Sequence, residues 1–273
     1  MSDIKSIDTS VEEKIKEELI ASFQSRRKRI LSKIFGAALG SIPWVGGFLS
    51  AMQAFKSDEA QVKSNQLYEQ WLSQHQEKMK SLATTLVEIA RRLDEFSDDI
   101  NERLESEEYL QIVRKAFRIW DNTDTFEKKE LIRKLLTNAG ANKSITDDLI
   151  TLFLDWLNLY HEIHFTVIRE IYQHSGATRF EIWQQLNGRQ VRENSLEADL
   201  FKMIFRDLSM GGVIRQHRAT DYAGNFIKKP KSKPTHTTNT FKSAFDDNES
   251  YELTELGKQF VHYTMNEVVP KIE

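Results

Sequence analysis

Residues 34–55, IFGAALGSIPWVGGFLSAMQAF, carry no charged side chain, in a chain that is otherwise 29 % charged. No other neutral stretch approaches that length. A hydrocarbon core needs about 20 apolar residues as a helix, and this run just reaches it. Gly36 and Gly40 have the GxxxG spacing that lets helices approach closely in lipid. Arg26, Arg27, Lys28, Arg29 and Lys33 precede the run as a basic flank, and Lys56 closes it. Each such cation gains about 1 kcal/mol beside an anionic leaflet. Pro43 has a fixed φ and no N–H, so one straight helix cannot run through Gly40–Pro43. The run therefore reads as the tip of a helical hairpin. Its exposed candidates are Phe35, Gly36, Gly40, Ile42, Pro43, Trp44, Val45, Gly46, Gly47, Phe48 and Leu49. They meet either lipid or another piece of polypeptide.

The flanking sequence is helical in grammar. With 11 glycines and 4 prolines in 273 residues, the chain favours helix. Val11, Ile15, Leu19, Phe23, Ile30 and Ile34 form one stripe over residues 9–34, with Ser10 and Glu13 as a capping box. Downstream, Leu72, His75, Met79, Leu82, Leu86, Ile89, Leu93, Phe96 and Ile100 alternate spacings of three and four. That is a heptad seam, and the first helix is expected to fold back along it. The seam also suits self-assembly. Residues 1–105 are therefore expected to form a helical hairpin or coiled coil, with its tip at 34–55 and its seam at 72–100.

Residues 106–160 read as a helical bundle. Ser106 caps a helix bearing Leu110, Val113, Phe117 and Trp120, and Asp124 or Thr125 caps one bearing Leu131, Leu135 and Leu136. Thr146 caps a third, apolar nearly all round from Leu149 to Tyr160, the mark of a buried central helix. Residues 161–273 change pattern: a helix from His161 to His174, a short helix after Thr178, a helix from Leu196 to Ser209, then Val213-Ile214, a polar loop over 215–250 and YELTELGKQF as a last strand. Leu208, Gly212 and Ile214, paired with Leu253, Thr254, Leu256 and Gly257, resemble the winged-helix family over residues 161–265. That resemblance implies a fold with a small β-hairpin wing and leaves function open. The segment LIRKLLTNAG followed by ITDDLITLFLDWLNLYHEIHFTVIREI, leading into such a module, resembles bacterial abortive-infection alpha proteins, which implies a role in phage exclusion. The long N-terminal hairpin departs from that pattern.

Composition excludes several chemistries. The chain has no cysteine, so disulfides, thiolate metal sites and a cysteine nucleophile are absent, in keeping with a cytoplasmic protein, free or at the inner membrane. The neutral run lies too far along, behind an amphipathic stretch, to read as a secretory signal. A net charge of −3 gives no global attraction to nucleic acid. No phosphate-binding glycine loop or nucleophile elbow is present. His161, Glu162, His164 and His174 include two helix-face neighbours but no motif supplies a third metal ligand, so neither metal nor cofactor is expected. Arg169 and His174 match the R-x4-H spacing of HEPN-type helical ribonucleases, but Glu170 follows the arginine and would repel phosphate. The third helix of the winged-helix region sets Glu193, Glu197, Asp199 and Asp207 against Arg192, Lys202 and Arg206, a poor balance for a DNA groove. The wing loop is basic, with Arg215, Arg218, Lys228, Lys229, Lys231 and Lys233.

The sequence thus leads to a mainly α protein with hairpin, bundle and winged helix. It is expected to be a non-enzymatic, membrane-active effector or sensor in anti-phage defence. Its expected partners are lipid, other copies of itself and a protein docked on the winged helix. A nucleic-acid-binding regulator that dimerises through the coiled coil ranks second, and a ribonuclease using Arg169 and His174 third.

Overall fold

The computed structural model describes residues 27–45, 58–142, 144–189, 191–217, 222–223, 227 and 243–266; for 58–69 and Leu72 it describes the backbone alone. The chain is mainly helical, with one small antiparallel two-stranded sheet among the described residues. It divides into two compact units, Met1–Leu159 with Tyr263–Glu273, and Tyr160–His262.

In the first unit, α1 (Lys28–Ser41) turns Ile30, Leu31, Ile34, Phe35, Ala38 and Leu39 inward. It ends at Ile42, extended at φ −89° and ψ 118°, and Pro43 opens a new helical turn at 43–45. This is the break that Gly40–Pro43 predicts. The part of the expected first helix at 9–26 lies outside the described residues. The second helix, α2 (Asp58–Asp94), is 37 residues long.

The seam helix is shorter than its periodicity suggests. It was expected to continue through Ile100, but α2 stops at Asp94, Ser97 is extended, and Ile100 lies on a 3-10 turn, Asp98–Ile100. The cause is Arg27. Its guanidinium takes the carbonyls of Leu93, Phe96 and Ser97, which closes the helix end.

After α3 (Asn101–Glu105), three helices form the bundle: α4 (Glu107–Asp121), α5 (Phe126–Ala141) and α6 (Asp147–Leu159). The Ser106 hydroxyl accepts from the Tyr109 N–H and caps α4 as expected. Leu110, Val113, Phe117 and Trp120 are buried, each side chain stabilising the core by about 1.5–3 kcal/mol. α4 packs on both α5 and α6. α1 packs chiefly on α4, while α2 packs on α5. The two hairpin arms are nevertheless antiparallel. Arg27 meets the C-terminal end of α2, and Trp44 meets Trp71 and His75 further up that helix.

The second unit contains α7 (Glu162–Gln173), α8 (Arg179–Asn187), α9 (Leu196–Met210), β1 (Ile214–Gln216) and β2 (Tyr251–Leu253). Thr178 and Glu181 form a capping box at the start of α8. β1 and β2 pair with Ile214 opposite Leu253 and Gln216 opposite Tyr251, and Thr178 bridges Ser250 beside them. The last expected strand is mostly helix. After Leu253 the chain forms α10 (Glu255–Met265), because the Thr254 hydroxyl accepts from the Gly257 N–H, and Phe260, Val261, Tyr263 and Thr264 are buried at helical spacing. The first part of α10 belongs to the second unit and its last turn to the first.

Candidate functional site

Ile34, Phe35, Ala38, Leu39, Ile42 and Val45 are all buried to within 1 % of full burial. Gly36 and Trp44 are half-buried, and Gly40 and Pro43 are exposed. Gly46, Gly47, Phe48 and Leu49 lie outside the described residues. Trp44 is held by its indole N–H, 2.5 Å from the Asp121 carboxylate, and by stacking on His75 at 4.8 Å. Among the described residues no helix is long and apolar enough to cross a membrane.

Of the basic flank, Arg27 is buried while Lys28, Arg29 and Lys33 stay at the surface. Arg27 is buried, with its Nε donating to Asn101 at 2.6 Å and the Asp94 carboxylate at 3.6 Å. Arg29 and Lys33 both reach Glu105, at 3.0 and 2.6 Å. The Lys33 and Arg29 hydrogen bonds hold the Glu105 carboxyl below its usual range. Lys28 is exposed, and Arg26 lies outside the described residues. The seam is interior too. Leu82, Leu86, Ile89 and Leu93 are fully buried and Ile100 nearly so, while Met79 and Phe96 are half-buried.

The histidines do not converge. His161 is the exposed N-cap of α7, and its backbone N–H donates to Nδ1 of buried His164 at 3.2 Å. Burial pushes the His164 imidazole below its usual pKa, against the opposing pull of Asp207 3.8 Å away. Among the described residues no three metal-ligating side chains cluster. His174 ends α7 with Nδ1 2.7 Å from the Glu170 carboxylate. The acid expected to repel phosphate thus sits directly on the ribonuclease candidate.

A cleft in the second unit brings together residues that sequence reasoning left apart. It encloses about 670 Å³ between α9 and the sheet, and four cations line it: Arg179, Lys202, Arg206 and Arg215. Phe205, Ile214 and Tyr251 form an apolar floor, and Met210 closes one end. Arg179 lies 5.2 Å from both the Phe205 and Tyr251 ring centres, a cation–π arrangement on two rings. One terminal N–H donates to the Tyr251 hydroxyl at 2.6 Å, and another reaches the Ser243 carbonyl at 3.5 Å. Among the described residues no carboxylate pairs with Arg179.

The other three cations each have an acid. Arg215 donates to Glu252 at 2.7 Å, Lys202 lies 3.2 Å from Glu193, and Arg206 lies 3.4 Å from Asp207. Burial alone raises the Glu252 carboxyl, but hydrogen bonds from His217 and Arg215 outweigh it and hold the group ionised below its usual range. Arg218, Lys228, Lys229, Lys231 and Lys233 lie outside the described residues. Arg179, Phe205 and Tyr251 carried no motif. One signal was legible: Arg179 is the first residue of a capped helix, where a cation opposes the helix dipole and so needs another reason to be there.

No family model matches the chain, and no curated protein or solved structure matches it either.

Proposed function

We propose that the chain is a non-enzymatic nucleic-acid-binding regulator, and that its second unit is a winged-helix module holding the sugar-phosphate backbone in the cleft between α9 and the sheet. The observation that carries this reading is the convergence of Arg179, Lys202, Arg206 and Arg215 on one cleft, with Arg179 lacking an acid of its own among the described residues. The order of helices and strands, with the Thr178–Ser250 bridge beside the sheet, supports the module. The segment joining β1 to β2 supplies further lysines in sequence. α9 begins with Glu197 and Asp199, so backbone contact through the cleft fits better than insertion of α9 into a groove.

Such binding is indifferent to sequence and steep in salt. Duplex and single-strand affinities measured from 50 to 200 mM salt, about a tenfold or larger loss for a few phosphate contacts, test it. Lys202→Gln with Arg206→Gln is expected to reduce the salt slope by about 2. Affinity that is flat in salt, or unchanged by the double substitution, removes the proposal.

The membrane-active effector of anti-phage defence is the second reading, and the unbroken neutral run over 34–55 favours it. On that reading residues 34–45 must first leave the partners that bury them.

A further inference from the structure

Three of the four cleft cations carry an acid, and each must loosen that pairing to take a phosphate. For Arg215 the acid is Glu252, directly opposite it across the two strands. The Glu252 carboxylate is shared. Oε1 accepts from Arg215 Nε at 2.7 Å, and Oε2 meets His217 Nδ1, also at 2.7 Å. An ionised carboxylate only accepts, so Nδ1 carries a proton and Nε2 is the nitrogen that titrates. His217 is two residues on from Arg215, and its backbone N–H donates to the Ser250 carbonyl at 2.9 Å, which holds it beside β2. The imidazole is 50 % exposed and Glu252 16 %. Solvent protons therefore reach the histidine, while the carboxylate it shares with Arg215 is largely shielded.

The acids of the other two cations lack such a switch. Asp207 also stands between an arginine and a histidine, Arg206 at 3.4 Å and His164 at 3.8 Å. His164 is buried, however, and its Nδ1 accepts the His161 N–H, a bond that a second ring proton would break. Glu193, beside Lys202, is held by the Ser243 hydroxyl and the Ala244 N–H. Of the remaining charges near His217, Glu249 is engaged by the Gln216 amide.

We propose that His217 gates the cleft by pH: once protonated, it takes over Glu252 and lets Arg215 turn to a phosphate of the bound strand. The inference rests on the nucleic-acid reading and adds regulation to it. With His217 neutral, Arg215 can turn to phosphate only by leaving a shielded carboxylate without a cation from this trio. With His217 charged, Glu252 keeps one, and one ion pair is exchanged for another. Binding therefore tightens as pH falls through the range in which histidine titrates, about 5 to 8.

Duplex affinity of the full chain at about pH 8 and about pH 6, in the same salt, tests this. The parent Kd should fall about three- to tenfold at the lower pH. Its salt slope should steepen by about 1, the mark of one further phosphate engaged. His217→Gln should bind at both pH values as the parent does at the higher one. Arg215→Gln should bind weakly at both. Glu252→Gln should bind tightly at both, because its Arg215 is never held, and a gain of affinity at the higher pH cannot come from a variant that fails to fold.

An affinity that is steep in salt and equal at both pH values overturns the gate and leaves the cleft reading standing. A pH response that survives His217→Gln belongs to another group, and one that survives Arg215→Gln belongs to direct contact by the imidazole; either overturns the gate. So does a Glu252→Gln variant that folds as the parent does and binds no tighter at the higher pH. Duplex affinity that is absent, or flat in salt, at both pH values overturns the gate and the cleft reading together.

Discussion

Arg27 makes hydrogen bonds to three backbone carbonyls and to Asn101, in a setting from which its guanidinium is almost wholly removed from water. Removing it would take one donor from those carbonyls and from the Asp94 carboxylate, and breaking a buried charged set of this kind costs about 3–5 kcal/mol. Arg27→Met is expected to lower the urea midpoint accordingly, and Arg27→Lys to recover little, because an ammonium cannot span the same fork of acceptors. An unchanged midpoint in Arg27→Met would show that the contact is incidental. His164 gives a prediction of the opposite electrostatic kind. Burial lowers its folded-state pKa below the ordinary value near 6.5, so the unfolded chain binds the proton first as pH falls. The associated stability is present above about pH 6.5 and is lost on acidification below it. A midpoint falling between pH 7 and 5, and falling less in His164→Asn, is the expected result in equilibrium unfolding.

Elements of this chain are joined by a few close approaches that fix their spacing. A Cβ at Gly257 would lie 2.2 Å from the Val213 carbonyl oxygen, a backbone atom that cannot swing aside. Gly257→Ala should therefore push the first turn of α10 off the start of β1 and destabilise the second unit by about 1–3 kcal/mol, read as a lower thermal midpoint. Thr178→Ala, which removes the cap of α8, should cost about 1 kcal/mol by the same measurement. Helices announced themselves in the sequence wherever a cap or an apolar stripe stood alone: Ser106 before α4, Thr178 before α8, and the break at Pro43. The end of α2 did not. Periodicity ran on through Phe96 and Ile100, and what stops the helix is an arginine 66 residues away in sequence from Leu93. The last helix was hidden for a related reason. YEL and TELGKQF are contiguous, and only the Thr254 hydroxyl, already engaged with the Gly212 carbonyl, divides strand from helix. The cleft was legible in part. Lys202, Arg206 and Arg215 were visible as charges, but their meeting with Arg179 needs the β1–β2 pairing, in which Arg215 stands opposite Glu252.

On the scale of the molecule, the balance between lipid and protein contact turns on residues 34–45. Burial of Ile34, Phe35, Ala38, Leu39, Ile42 and Val45 removes the large apolar side chains of this stretch from the surface that a lipid layer would meet, and Arg27 is buried with them. Co-flotation of the full chain with anionic vesicles should accordingly leave it in the unbound fraction, and Ile42→Asp should unfold the first unit rather than merely change its partition. Floating with the vesicles, together with a stable Ile42→Asp variant, would restore the effector reading to first place.

The unit containing the hairpin is not finished when its last bundle helix is. The carbonyl of Tyr263 accepts from the Asn138 side chain at 2.9 Å, that of Met265 is reached by Lys134 at 3.3 Å, and the Tyr263 hydroxyl meets Ser144 at 2.8 Å. On the ribosome, every residue of the Tyr160–His262 unit is made before that turn exists. The nascent N-terminal unit lacks the Tyr263 and Met265 carbonyls that Asn138 and Lys134 meet until the intervening unit has emerged.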